Sequence, residues 1–179
     1  MDGSDFGERM GEIDHHTQLG ENETAYQLAL ALRTEVGAEA IVDGTMYGWA
    51  IYYELRALHS LERWADYTAL MEAHEPMLHS VGPQNRAYAS SLMMEALANS
   101  NGASKIPDWG VKTCHLRLLS EDFEAFKMAF RTTRYLLEEC EQEALFEPFV
   151  RQLAGLVGEM GLDKLQASLL SFLEADSES

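Results

Sequence analysis

The stretch YGWAIYYELRALHSLERWADYTALMEAHEPML, which spans Tyr47–Leu78, decides how this chain folds. Its apolar residues recur three and four positions apart, which is typical of amphipathic helices. The pattern breaks only around residues 61–63. A connection of so few residues makes two helices fold back on each other. We therefore predict an antiparallel helical hairpin, and the rest of the chain repeats this design.

The remaining segments show the same helical periodicity. Thr24 and Gln27 have the spacing of a capping box at a helix start, which predicts a first helix over residues 25–36. Residues 88–98 and 121–139 predict further helices, and a last helix pair follows near the C-terminal end. The sequence therefore predicts an all-α chain in which about seven helices form antiparallel hairpins.

Length and composition favour one domain. The chain has 179 residues, of which 46% are hydrophobic, enough for one substantial core. Residues 1–22 are rich in Gly and acids, so we predict a mobile acidic N-terminal tail, or a weakly attached turn of helix, before a single helical-repeat domain at 23–175. We find no signal-peptide pattern, no long apolar run and only two cysteines. These features predict a soluble, cytoplasmic protein.

The charge of the chain predicts which partners it avoids and which it attracts. A net charge of −17 repels phosphate backbones and anionic lipid surfaces, which argues against nucleic acid and membranes as partners. Residues 105–134 are an exception, because they contain six bases and four acids. We select five bases of this basic segment as partner-binding candidates: Lys112, Arg117, Lys127, Arg131 and Arg134.

We expect the basic segment to attract an acidic peptide or, in a homodimer, the acidic surface of a second copy. The alternative is that Glu124 and Glu138, which lie on the same predicted helix face, neutralise these bases. Such surface ion pairs contribute at most about 1 kcal/mol each. The two interpretations differ in how association should respond to salt.

A second candidate surface lies on the predicted helix 46–61. Trp49, Tyr52, Arg56 and His59 fall together on one sector of this helix. Aromatic residues and Arg are enriched at binding hot spots, so we expect this sector to bind a partner in a helical groove. The alternative is that the sector packs against the first helix or the tail.

Glu54 and His74 are the polar residues that the apolar patterns leave to be explained. Glu54 projects into an apolar arc, and His74 lies on the apolar stripe of the following helix. A neighbouring Arg or Tyr hydroxyl would satisfy the Glu54 carboxylate. The alternative is a functional carboxylate with a raised pKa, in the pocket of an enzyme or small-molecule sensor around Glu54 and His74.

The sequence contains no motif that names a reaction. Glycine-rich phosphate loops, Cys-x-x-Cys pairs and G-x-S-x-G elbows are missing. His74 and His79 have HExxxH spacing, which does not place two histidines four apart on one helix face as a zinc motif does. We therefore predict no catalytic residues, no metal and no cofactor.

Residues 116–130 repeat the pattern of residues 55–71 with two residues deleted at the turn. An aromatic residue after the turn and another three positions further on resemble tetratricopeptide repeats. The residues that carry the resemblance are Leu55, Trp64, Tyr67 and Pro83 in the first unit, and Phe123 and Phe126 in the second. The resemblance implies a short α-solenoid that holds a peptide or protein on its first helices. The expected function is a non-catalytic protein–protein interaction module, either an adaptor or a chaperone-like protein.

Overall fold

A computed structural model describes residues 2–37 and 44–176, and all the regular secondary structure within these ranges is helical. The α-helices are α1 Gly3–Gln18, α2 Asn22–Gly37, α3 Gly44–Ser60, α4 Trp64–His74, α5 Gly82–Ala98, α6 Ile106–Leu119, α7 Phe123–Glu139, α8 Phe146–Glu159 and α9 Asp163–Asp176. Short 3-10 helices span Glu75–Val81, Ala103–Lys105 and Glu143–Leu145. The all-α prediction is confirmed, although these ranges contain more helices than the seven or so expected.

The extra helix is α1, which lies where the sequence predicted a mobile tail. The Asp2 carboxylate caps it, accepting hydrogen bonds from the backbone N–H groups of Ser4 at 2.9 Å and Asp5 at 3.0 Å. Phe6 and Ile13 of α1 are buried against the rest of the chain. Residues 3–18 thus form a helix where the sequence predicted a mobile tail or a weakly attached turn of helix, because the three glycines of α1 obscured a narrow apolar face.

Within the described ranges, α1, α3, α6, α7 and α8 end in the same way. A three-residue turn follows each of them, and its middle residue has a positive φ angle. The N–H after that residue donates to a carbonyl five positions earlier, as Arg63 does to Leu58 at 3.0 Å. This Schellman arrangement satisfies carbonyls that the helix end would leave unpaired. The middle residues are Gly20, Glu62, Glu121, Glu141 and Gly161.

The helices pack on their neighbours in the chain, and some also on the next helix but one. Helix α3 contacts both α1 and α5, and α6 contacts both α7 and α8. Gly48 lets α3 approach the 3-10 helix Glu75–Val81, and Gly110 of α6 lies against Thr133 of α7. No helix in the described part of the chain has both the length and the apolar character needed to cross a bilayer.

Candidate functional site

The aromatic sector of α3 is largely covered by the chain itself. Tyr52 is only 7% exposed, and Trp49 is partly buried with its ring edge-on to Tyr52 at 5.7 Å. Asp14 of α1 accepts hydrogen bonds from the Tyr53 hydroxyl and from Arg56, both at 2.9 Å. Burial and the bond to Asp14 raise the pKa of Tyr53 to about 12. Helix α1 therefore covers part of the predicted partner surface.

Helix α5 provides partners for the other side of this sector. His59 lies 2.9 Å from a carboxylate oxygen of Glu95, and the Tyr52 hydroxyl donates to Asn85 at 3.3 Å. The structure thus brings Trp49, Tyr52, Arg56 and His59 together on one helix, as the sequence predicts. Contacts from α1, which lies within the predicted tail, and from α5 agree with the alternative that this sector packs against other parts of the chain.

Glu54 is part of a closed polar cluster. Its side chain is only 4% exposed, and both of its carboxylate oxygens accept hydrogen bonds from Arg33 of α2. Tyr47 places its ring edge-on to His74 at 5.8 Å. Burial and the nearby Arg33 lower the pKa of His74. A neighbouring arginine, one of the two explanations that the sequence left open, thus accounts for the buried carboxylate.

Ion pairs neutralise most of the selected bases in the basic segment. The pairs are Lys112–Glu75 at 2.9 Å, Lys127–Glu124 at 2.7 Å and Arg134–Glu138 at 2.7 Å. The Arg134 guanidinium also lies over the rings of Phe146 at 5.2 Å and Phe172 at 5.6 Å. Arg117 and Arg131 have no acidic partner among the described residues. These two are the bases that the segment can offer to another molecule.

The side chains of α5 and α7 form a surface groove with a volume of about 540 Å³. Leu92 of α5 and Leu136 of α7 are partly buried and supply apolar lining. Tyr135 stands beside them and is 57% exposed. Glu95 and Glu139 add a carboxylate from each helix. None of the described residues that line this groove is Lys, Arg or His.

Sequence reasoning did not select any residue of this groove. Periodicity assigns Leu136 to the buried arc of α7, but it cannot show that the arc is incompletely covered by α5. The sequence feature that could have indicated the groove is Tyr135, an aromatic residue on a mostly polar face of its helix. Met128, seven positions earlier, lies on that same face and is 67% exposed.

The described residues contain no cluster of three or more His, Cys, Asp and Glu side chains placed to hold a metal ion. No protein-family model, no curated protein and no solved structure matches this chain. The resemblance to tetratricopeptide repeats is therefore supported only by helices that pack against their neighbours.

Proposed function

We propose that this chain is a non-catalytic protein–protein interaction module, either an adaptor or a chaperone-like protein, which binds a peptide or protein segment between α5 and α7. The exposed Tyr135 beside the partly buried Leu92 and Leu136 is the observation that supports this most directly. Binding hot spots combine such an aromatic anchor with apolar surface and a polar rim. The partner would cover the ring and exclude water from the groove.

The proposal includes the fold type, a short tetratricopeptide-like α-solenoid. Two features support it: the recurring three-residue turns after α3, α6, α7 and α8, and the contacts between alternate helices such as α6 and α8. Repeat proteins of this kind stack units that each contact their neighbours and use an extended face for binding. In this arrangement α5 and α7 lie in one layer, so their groove lies on a face of the stack.

The charges of the groove define the partner segment. Glu95 and Glu139 are both exposed, and the described residues that line the groove include no base, although His59 of α3 lies 2.9 Å from Glu95 outside the groove. A partner with Lys or Arg on each side of an apolar or aromatic side chain would complement this surface. We therefore propose a basic peptide segment as the occupant.

Selection from a random peptide library on the immobilised chain tests the groove. We expect the selected peptides to carry a hydrophobic residue flanked by Lys or Arg. Tyr135→Ala should weaken their binding about tenfold or more, as truncation of a hot-spot residue does. Met128→Ala is the matched control, because Met128 is exposed on the same helix but does not line the groove.

The charge of the groove is tested by a second pair of changes. Glu95→Gln with Glu139→Gln should slow association and reduce its dependence on salt. Selected peptides without basic residues would contradict the proposed partner chemistry. Peptides that bind Tyr135→Ala as well as the unchanged chain would show that the groove is not the binding site.

The remaining parts of the proposal concern location and self-association. Cys114 and Cys140 are free thiols, which supports a cytoplasmic location because disulfides persist mainly in oxidising compartments. Arg117 and Arg131 are proposed to attract the acidic surface of a second copy. Residues 135–179 contain ten acids and two bases, so a second copy supplies the complementary charge.

A further inference from the structure

We infer that the surface of α2 and α3 beneath α1 is a docking surface for an amphipathic helix of a partner protein, and that α1 occupies it as an intramolecular competitor. This inference goes beyond the groove between α5 and α7, and it rests on the contacts of α1. The partner helix would replace α1 without changing the rest of the fold.

The way in which α1 binds defines what the partner must offer. Phe6, Met10 and Ile13 follow the i, i+4, i+7 spacing of one helix face, and all three pack on the core. Asp14 comes next and accepts hydrogen bonds from Tyr53 and Arg56 of α3. This is the pattern of helix-in-groove recognition, in which apolar anchors give affinity and one polar contact fixes the register.

Helix α2 forms most of the surface that receives α1, and Glu35 of α2 pairs with Arg9 of α1. The aromatic cluster of α3, which meets α1 through Tyr53 and Arg56, has the composition of an interface. The Trp49 ring lies 5.7 Å from the Tyr52 ring and 6.3 Å from the Tyr53 ring. The Arg56 guanidinium lies over both tyrosines, at 5.9 Å and 5.4 Å from the ring centroids. Aromatic residues and Arg dominate the hot spots of protein interfaces. Removing α1 would leave the hydrogen bonds of Tyr53 and Arg56 to Asp14 unmade.

Helix α1 has features of a weak occupant. Gly3, Gly7 and Gly11 interrupt it, and a Cβ at any of them would meet no atom within 4 Å. Glycine inside a helix favours the unfolded segment, so nothing in the packing compensates for these three residues. Short stretches with few fully buried side chains open most readily in folded proteins.

These observations specify the partner by its chemistry. It is an amphipathic helix with apolar residues at positions 1, 5 and 8 and a carboxylate at position 9, matching Phe6, Met10, Ile13 and Asp14. It would have better helix-forming residues than glycine between them. It also needs fewer acids than α1, because the whole chain has a net charge of −17 and repels acidic ligands that are not tethered to it.

The probe is a fluorescent synthetic peptide of residues 2–18 in which Gly3, Gly7 and Gly11 are replaced by Ala and the exposed Glu8 and Glu12 by Gln. We expect it to bind the full chain in fluorescence anisotropy and to speed hydrogen exchange of the α1 amides, which can be followed by mass spectrometry. The same peptide with Asp14→Asn should bind about tenfold more weakly, because it loses the charge that pairs with Arg56.

Strengthening α1 in the chain gives the opposite test. Gly7→Ala with Gly11→Ala in the full chain should weaken binding of the probe about tenfold or more, since the competitor then holds its site more tightly. Gly155→Ala is the matched control, because Gly155 lies inside α8 and is equally unobstructed. It should leave probe binding unchanged. The competitor variants stabilise the fold, so misfolding cannot imitate the result.

Three results would overturn the inference: no binding of the probe, equal binding to the chain with and without the alanines in α1, or binding that leaves α1 exchange unchanged. Binding that is indifferent to Asp14→Asn would contradict the register assigned from Tyr53 and Arg56. Tyr135→Ala should not affect the probe, so failure of the groove between α5 and α7 would be seen separately.

Discussion

Gly48 is a residue at which α3 leaves no room for a side chain. A Cβ there would lie 2.2 Å from the Ser80 hydroxyl oxygen and 2.4 Å from the carbonyl oxygen of Met77. Gly48→Ala must push the 3-10 helix Glu75–Val81 away from α3. We expect it to lower the free energy of unfolding by about 2 kcal/mol, measured by urea denaturation.

Gly155 provides the matched comparison for Gly48, because it also lies inside a helix but has open space around it. Gly155→Ala should raise the free energy of unfolding by about 1 kcal/mol through helix propensity alone. Equal effects of the two alanine substitutions would show that the contact between α3 and the 3-10 helix is loose.

His74 should make stability depend on pH. Burial and the nearby Arg33 lower its pKa, so the folded state favours the neutral imidazole. The unfolded chain takes up a proton near the ordinary pKa of about 6.5, and the folded chain does so only at lower pH. The contribution of His74 to stability is thus present above about pH 6.5 and lost as pH falls below it.

The experiment compares unfolding of the unchanged chain and His74→Phe between about pH 7 and pH 5. The phenyl ring preserves the edge-on contact with Tyr47, so the variant should lose less stability on acidification. His15, which is exposed on α1, supplies the control substitution His15→Phe. The same pH dependence in all three proteins would contradict the role given to His74.

At the scale of helices, three of the Schellman turns contain backbone strain that a glycine would relieve. Glu62, Glu121 and Glu141 adopt φ angles of 54°, 56° and 56°, a region that costs non-glycine residues about 1 kcal/mol. Their charges also lie at helix C-termini, where the helix dipole disfavours them, although the N-terminus of the next helix, two residues beyond Glu62 and Glu121, offsets part of this effect. Replacing any one of them by Gly should raise the melting temperature, with a gain of about 0.5–1 kcal/mol.

Two further substitutions separate the causes of this gain. Glu→Gln at the same position removes the charge and keeps the strain, so it should give only part of the effect. Gly161→Ala makes the reverse change at the turn after α8, where φ is 73° and no atom crowds a Cβ. It should destabilise the chain by about 1 kcal/mol. Scanning calorimetry of the series measures both contributions.

The apolar periodicity predicted the long helices, because a helix that buries one face must carry apolar residues three and four positions apart. The helix predicted over 46–61 spans Gly44–Ser60, and the one over 121–139 spans Phe123–Glu139. The hairpin predicted over Tyr47–Leu78 has a shorter second helix than its pattern indicates, because α4 ends at His74 and a 3-10 helix continues to Val81. Pro76 accounts for this change, since it lacks the N–H that an α-helix needs.

The candidate sites were harder to predict, because they depend on contacts between distant segments. The sequence placed Trp49 and Arg56 on one sector but could not show that Asp14 would bind Arg56 from α1. The sequence also could not show that Leu92 of α5 and Tyr135 of α7 line the same groove, because the pattern of one helix does not determine which helix packs beside it. A helix pattern defines a face, and only tertiary packing shows what covers that face.

At the scale of the whole molecule, self-association should depend on Arg117 and Arg131. The proposed dimer places these bases against the acidic surface of a second copy, so its dissociation constant should rise several-fold between about 20 mM and 150 mM salt. Arg117→Glu with Arg131→Glu should abolish the dimer and leave the melting temperature nearly unchanged. Sedimentation equilibrium measures the dissociation constant.

Arg134→Glu is a poor substitute for this test, because the Arg134 side chain pairs with Glu138 and covers the rings of Phe146 and Phe172. It should lower the melting temperature as well as weaken the dimer. A chain that stays monomeric at low salt would contradict the proposed dimer. So would a dimer whose dissociation constant changes neither with salt nor with the double charge reversal.

The order in which the helices pack has a consequence for how quickly the chain folds. The helix contacts described above join elements that are neighbours or next neighbours in the sequence, such as α5 with α6 and α6 with α8. Loops closed by such contacts are short, and proteins rich in local contacts cross their folding barrier fastest. During synthesis, α1 to α3 can pack before α8 and α9 have left the ribosome.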